Sequence, residues 1–226
     1  MPRFPLTRTL GPLGVQVAAP KWYLAGGISA SACVAAYQPK GSTSLAASYT
    51  NLANPGTYDA APGVAPTFAT TTGWTFNGTT QYLTTNIPRQ TYDSTLIVAF
   101  NSITNNGYVA GVANTPASGN SFALAPRRSL AGVWYIYGSA SIIEVAPSLT
   151  AGVLCQAGNI GYRNGVAEAT FALAVGVYDA PYLGGQRTSG TSLFAPIAGN
   201  ITAAAIYNTT LSAAQVAAVS SAMGAL

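Results

Sequence analysis

Histidine is absent from the 226 residues, which excludes a Ser-His-Asp triad, a Cys-His pair and any imidazole general base. Charge is nearly as scarce, at 6% of the chain against about 25% in an average soluble domain. The acids are Asp59, Asp93, Glu144, Glu168 and Asp179, all isolated from one another. Glycoside hydrolysis needs two carboxylates flanking one bond, and neither glutamate has another acid within three residues. The aspartates lack the D-x-D or D-x-N spacing that would gather the six to eight oxygens of a calcium site. Cys33 and Cys155 stand alone, without a CxxC pair, which leaves zinc short of ligands. They read as two buried thiols, with a disulfide between these positions, 122 apart, as the other possibility. No run reaches the ~18 consecutive apolar residues of a membrane span. The expectation is a protein that is not an enzyme and uses no metal or cofactor.

The first residues are not expected to act as an apolar leader. Met1-Pro-Arg-Phe-Pro-Leu-Thr-Arg-Thr-Leu-Gly-Pro-Leu-Gly breaks any apolar core with proline and glycine, so a product made in a cytoplasm is expected. Residues 1–20 read as an extended arm, because Pro2, Pro5, Pro12 and Pro20 remove donors and fix φ. Phe4, Leu6, Leu10, Leu13, Val15 and Val17 make it too apolar for a free tail. It is expected to be held by its own domain or by a neighbouring subunit. Arg3, Arg8, Lys21 and Lys40 are the only charges before Asp59, while five arginines and five acids cancel over the rest, so the net charge of +4 belongs to the front of the chain. Four bases spread over 58 residues are too dilute for a nucleic-acid footprint but suit an acidic partner.

Residues 21–226 read as one domain of short strands separated by turn residues. The spacing predicts strands over 33–37, 74–76, 81–85, 94–101, 107–112, 121–125, 131–138, 141–145, 151–157, 159–163, 166–172 and 200–207, with 38–73 mostly loop. Thr95-Leu-Ile-Val-Ala-Phe100 suits a strand buried on both faces. Asn164-Gly165 is the pair that a type I′ hairpin needs. A single helix is expected after Ser212, whose S-x-x-Q spacing to Gln215 makes a capping box and whose Leu211, Val216, Val219 and Met223 share one stripe.

Three segments, in this order, resemble the concanavalin A-like (laminin-G-like) jelly-roll family. Gly73-Trp-Thr-Phe-Asn-Gly-Thr-Thr-Gln-Tyr-Leu83 is similar to its F-N-G-x-x-x-Y-L strand pair, and Tyr162-Arg-Asn-Gly-Val166 to its Y-x-N-G-V hairpin. Leu183-Gly-Gly through Phe194, Gly199-Asn-Ile-Thr-Ala-Ala-Ala-Ile-Tyr-Asn208 and Leu211-Ser-Ala-Ala-Gln-Val216 resemble its closing strands and helix. The resemblance implies an all-β, antiparallel jelly-roll β-sandwich with an extended N-terminal arm and one short C-terminal helix. With Trp22-Tyr-Leu-Ala-Gly-Gly-Ile28 and Cys33-Val-Ala-Ala-Tyr-Gln-Pro-Lys-Gly41, the chain also resembles virion proteins of tailed bacteriophages. Hydrolases that share the fold carry E-x-D-x-x-E on one strand, which is missing here.

Those readings together imply a structural virion protein, most simply a capsid decoration protein. Its partners would be the major capsid protein or neighbouring copies, held through Arg3, Phe4, Leu6, Arg8, Leu10, Leu13, Val15 and Val17, with homo-oligomers in the assembly. The alternative is a lectin-like carbohydrate-binding module for host attachment. Thirteen tyrosines against seven phenylalanines suit surfaces with one wet end. Tyr108, Tyr135, Tyr137, Tyr178 and Tyr182 are the aromatics available for a glycan or partner. Arg127-Arg128, after Pro126, reads as an exposed turn for an acidic contact.

Overall fold

The computed structural model describes residues 21–113, 121–128, 133–139, 141–172, 176–188 and 190–226. The arm of residues 1–20 lies outside the described residues. In chain order the first strands are β1 (Cys33–Tyr37), β2 (Ala61–Val64), β3 (Thr67–Ala69), β4 (Gly73–Asn77), β5 (Tyr82–Thr84), β6 (Gln90–Thr91), β7 (Thr95–Asn101), β8 (Ala110–Ala113) and β9 (Ser121–Arg128). There follow β10 (Val133–Ser139), β11 (Ser141–Val145), β12 (Gly152–Ala157), β13 (Ile160–Arg163), β14 (Val166–Thr170), β15 (Val177–Tyr178), β16 (Tyr182–Leu183), β17 (Gln186–Thr188), β18 (Ser192–Phe194) and β19 (Ala198–Tyr207). The helices are α1 (Leu45–Ser48) and α2 (Ala213–Gly224).

These strands make a jelly-roll β-sandwich whose pairs are antiparallel except for the parallel β8–β17 contact. One sheet runs β14-β13-β12-β7-β19-β4-β3, with β1 also on β19; the other runs β11-β10-β9-β8-β16-β5-β2, with the β17–β18 hairpin joined to β8. The spine of the first sheet is β19. It pairs with β7 along one edge and with both β1 and β4 along the other. Successive side chains of a strand point to opposite faces, and both faces of this spine are covered. Leu96, Val98 and Phe100 of β7, with Ala204 and Ile206 of β19, face the core between the sheets. Ile97, Ala99, Ala203, Ala205 and Tyr207 face a second core beneath α2 and Trp22, Tyr23 and Ile28. A continuous apolar run is therefore what the position demands.

Helix α2 begins as its sequence implies. The Ser212 Oγ accepts from the Gln215 amide at 3.3 Å, and the Gln215 side chain accepts from the Ser212 amide at 3.0 Å. Val216, Val219 and Met223 are buried in the second core. The hairpin between β13 and β14 turns on Asn164 at φ 50° and Gly165 at φ 82°, the left-handed pair of a type I′ turn. Gly165 also lies against the helix, where a Cβ would come within 2.9 Å of the Ala217 Cα.

The stretch 38–73 contains more order than its composition implies, namely α1, β2 and β3. Asn51 organises part of it. Its Nδ2 donates to the Val34 and Thr57 carbonyls at 3.0 and 2.8 Å, and its Oδ1 accepts from the Ala36 and Ala53 amides at 2.9 and 3.0 Å. That is the full hydrogen-bonding capacity of a carboxamide, half of it met within the loop by Ala53 and Thr57 and half by Val34 and Ala36 of β1. Cys33 and Cys155 are both free and buried.

Candidate functional site

The outer face of the second sheet carries the candidate site. Leu83, Ala110, Leu124 and Leu183 of this sheet point into the core between the sheets, so their strand neighbours point outward. The register places Thr84 opposite Tyr182, Tyr182 opposite Gly111, and Gly111 opposite Ala123, and residues directly opposite in a ladder share a face. Tyr82 and Tyr182 stand side by side there, with ring centroids 4.5 Å apart. Tyr82 is half-buried and its ring lies on the backbone of β2, where only Gly63 leaves room: a Cβ would meet the ring at 2.0 Å. The Tyr182 hydroxyl donates to the Thr191 carbonyl at 2.9 Å. Burial pushes the Tyr182 phenol above its ordinary range, Tyr82 adds to the rise, and Arg187 acts against it.

Across Gln186, which the ladder sets opposite both Gly111 and Phe194, the face continues to an aromatic that solvent reaches. Phe194 is 48% exposed. Its ring leans on Tyr108 at 6.2 Å, and Tyr108 closes over Ala123 and Ala125. The rim is polar. The Arg187 guanidinium lies 5.9 Å from the Tyr182 ring centroid and 3.7 Å from the Asp179 carboxylate, while Arg89 donates to the same carboxylate at 2.7 Å. An apolar ring beside ordered amides, hydroxyls and guanidinium groups can stack on the hydrophobic side of a sugar and bond its hydroxyls.

The residues singled out from the sequence separate here. Tyr182 lies on this side of the sheet but is only 3% exposed, so it braces Tyr82 and Arg187 and presents little surface of its own to a ligand. Tyr108 supports Phe194 from beneath but is itself only 1% exposed. Tyr178 is equally buried, inside the core between the sheets with its ring stacked on Phe122 at 4.5 Å, and presents nothing to a ligand. Arg127 is not in an exposed turn. Strand β9 runs on through Pro126 to Arg128, and half-buried Arg127 bonds the Ile103 carbonyl at 3.4 Å. The side chains of Arg128, Tyr135 and Tyr137, and the whole of residues 1–20, lie outside the described residues. The tyrosine excess has an internal cause. Tyr23, Tyr37 and Tyr207 are buried and donate to the carbonyls of Leu52, Tyr58 and Tyr23 at 2.7, 2.6 and 2.9 Å. A buried phenol needs such a partner, so these rings tie loops to the sandwich instead of wetting its surface. Phe194 was not marked by any spacing in the sequence; its exposure follows from the β17–β18 hairpin.

The carboxylates are dispersed and mostly engaged. Asp59 accepts from the Asn51 amide at 2.7 Å, Glu168 pairs with Arg163, Asp93 accepts from Thr91, and Asp179 bridges Arg89 and Arg187. Glu144 lies on β11. Among the described residues no three His, Cys, Asp or Glu side chains are grouped to share a metal ion. None of the described helices is long and apolar enough to cross a membrane.

No family model matches this chain, and no curated protein matches it in sequence. Solved structures do resemble it in shape. Domain 4 of AbnA, a GH43 extracellular arabinanase from Geobacillus stearothermophilus, solved in complex with arabinotriose, matches with a TM-score of 0.58 at 14% identity, over 84% of this chain and 98% of that one. Trypanosoma rangeli sialidase in complex with 2,3-difluoro-KDN matches with a TM-score of 0.57 at 17% identity, over 84% of this chain. The match spans about a third of the sialidase, 32% of its chain. The likeness is one of fold.

Proposed function

We propose that this protein is a non-enzymatic, lectin-like domain that binds an oligosaccharide on the outer face of its second sheet. The observation that carries the proposal is Phe194, half exposed and braced by Tyr108 beside the Tyr82–Tyr182 pair and the Arg187 rim. The arabinanase domain of similar fold, solved with arabinotriose, supports it by analogy of architecture. The lack of histidine and the dispersed acids support binding over turnover. A screen of oligosaccharides, arabinotriose included, is expected to find a ligand retained by the intact chain. Fully burying a Phe side chain is worth about 1.5–3 kcal/mol, and about half of Phe194 is left to cover, so Phe194→Ala is expected to weaken that ligand by about three- to tenfold. The melting temperature should hardly move, because half of the ring is in solvent already. Retention of no glycan, or a Phe194→Ala protein that binds as the parent does, overturns the proposal.

A second reading is favoured by the six large apolar side chains between Phe4 and Val17. In it the chain is a virion component docked through residues 1–20, and the glycan face serves host attachment. Trp22, the second of the described residues, is buried and donates from Nε1 to Gln38 at 2.9 Å. Deleting residues 1–20 is then expected to leave the melting temperature unchanged and to abolish co-sedimentation with particles lacking the wild-type copy. Unfolding of the truncated chain, or full occupancy on particles, contradicts this reading.

A further inference from the structure

On the opposite side of the sandwich, a cavity of about 550 Å³ lies between the outer face of the first sheet and the last turns of α2. That volume falls within the range of small-ligand sites, about 300–1,000 Å³. Lys40, Asn101, Asn164, Thr202, Ser220 and Met223 are among the residues that line it, and none of the lining residues is acidic.

The free hydrogen-bonding capacity of these groups is biased toward donors. Asn101 uses its Oδ1 to accept from Asn200 at 2.7 Å, and Asn164 uses its Oδ1 to accept from the Val153 amide at 2.9 Å. Each carboxamide therefore has its amide hydrogens left for something in the cavity. Lys40 is half-buried and forms no ion pair with the described residues. Ser220 is 4% exposed, and its Oγ, itself shielded from solvent, has no hydrogen-bond partner among the described residues. A helical serine commonly bonds back to the carbonyl one turn earlier; this one makes no such bond, and its residue lines the cavity. A buried hydroxyl without a partner is costly, and a ligand oxygen would remove that cost.

We infer that this cavity is a second ligand site, separate from the Phe194 face, for a sugar unit that bears a carboxylate. Lys40 takes the carboxylate, and the amides of Asn101 and Asn164 and the hydroxyl of Ser220 take ring hydroxyls. One lysine among neutral donors suits a singly charged acceptor-rich group. The negative end of the α2 dipole beside the cavity opposes any anion, and a phosphate dianion more than a single carboxylate, which Lys40 can offset. The arm of residues 1–20 does not suit the cavity either, because it is basic and apolar.

The test is titration of the full chain, followed by amide NMR, with glucuronate, glucose and inorganic phosphate at equal ionic strength. Glucuronate is expected to shift the amides of Lys40, Gly152 and Gly224 while leaving Phe194 still. Losing a charge-assisted bond weakens binding by about ten- to a hundredfold, so Lys40→Met should do so and Lys40→Arg should restore most of it. Ser220→Ala should also weaken binding, with the melting temperature equal or raised. Phe194→Ala should leave glucuronate binding intact, which separates this site from the proposed glycan face. If Lys40→Met fails to fold, the wild-type shifts decide alone. Glucose or phosphate bound as tightly as glucuronate, shifts confined to the Phe194 face, or binding unchanged in a folded Lys40→Met overturns the inference.

Discussion

Titration with base is expected to unfold this protein cooperatively by about pH 11. Burial pushes the Cys33 thiol up to about 12, with a backbone hydrogen bond at Ala35 acting against it, and pushes Cys155 higher still. The Tyr37, Tyr178 and Tyr207 phenols are raised as well, first by burial and then by neighbouring acidic groups; for Tyr178 the bond with Ser94 opposes the rise. Above pH 9 for the thiols and pH 10 for the phenols, the unfolded chain releases protons that the folded chain retains. Stability is therefore whole below those values and falls as pH rises through the interval to the folded values. Each group removes up to about 1.4 kcal/mol per pH unit in that interval. Five of them exhaust a typical stability of about 5–15 kcal/mol within roughly two units. The check is circular dichroism recorded with tyrosinate absorbance. Exposed phenols should titrate first, and the remainder should ionise together with the loss of structure. Smooth ionisation of every tyrosine with a native spectrum at pH 12 refutes it. The same burial should keep both thiols unreactive toward iodoacetamide at neutral pH until the chain is unfolded.

Trp74→Ala is expected to cost about 3–5 kcal/mol, a large share of the whole. Trp74 has no solvent exposure, packs near Tyr37 and Tyr49 with ring centroids 6.2 and 6.1 Å away, and donates from Nε1 to the Ser48 Oγ at 2.7 Å. The substitution opens a cavity between the sheets and removes a hydrogen bond from buried Ser48. Tyr49→Phe is the control beside it. The Tyr49 hydroxyl is buried without a partner, so its removal should be neutral or slightly stabilising. Denaturant titrations of the three proteins decide the matter. A Trp74→Ala loss below about 1.5 kcal/mol, or a Tyr49→Phe loss as large, contradicts this account of the core.

The parts of the fold governed by neighbours in the chain were legible in the sequence. Asn164-Gly165 turns a hairpin because two adjacent residues must take positive φ. Ser212 and Gln215 start a helix because their side chains reach amides three residues away. The run from Thr95 to Phe100 is apolar throughout because both of its faces are covered. These are short-range conditions, so the order of types along the chain states them. The resemblance added the sandwich into which the strands fold.

Positions that depend on distant partners were not legible. Strand β2 contains Pro62 and Gly63 and exposes most of its residues, so nothing local favours it; its ladder with β5 does. Tyr178 and Tyr182 are four residues apart and equally aromatic, but one stacks inside the sandwich and the other lies on its outer face. The pairing of Tyr182 with Gly111 and Thr84 decides the latter, across intervals that no periodicity spans. The candidate glycan face needs Tyr82, Tyr182 and Phe194 together, and the cavity needs Lys40, Asn164 and Ser220 together. By itself the sequence determined the apolar β7 run, the Asn164-Gly165 turn and the terminal helix, because backbone geometry and burial period act over a few residues. Only the tertiary structure decided which side chains share a face, because strand order and the packing of α2 bring together residues more than a hundred positions apart.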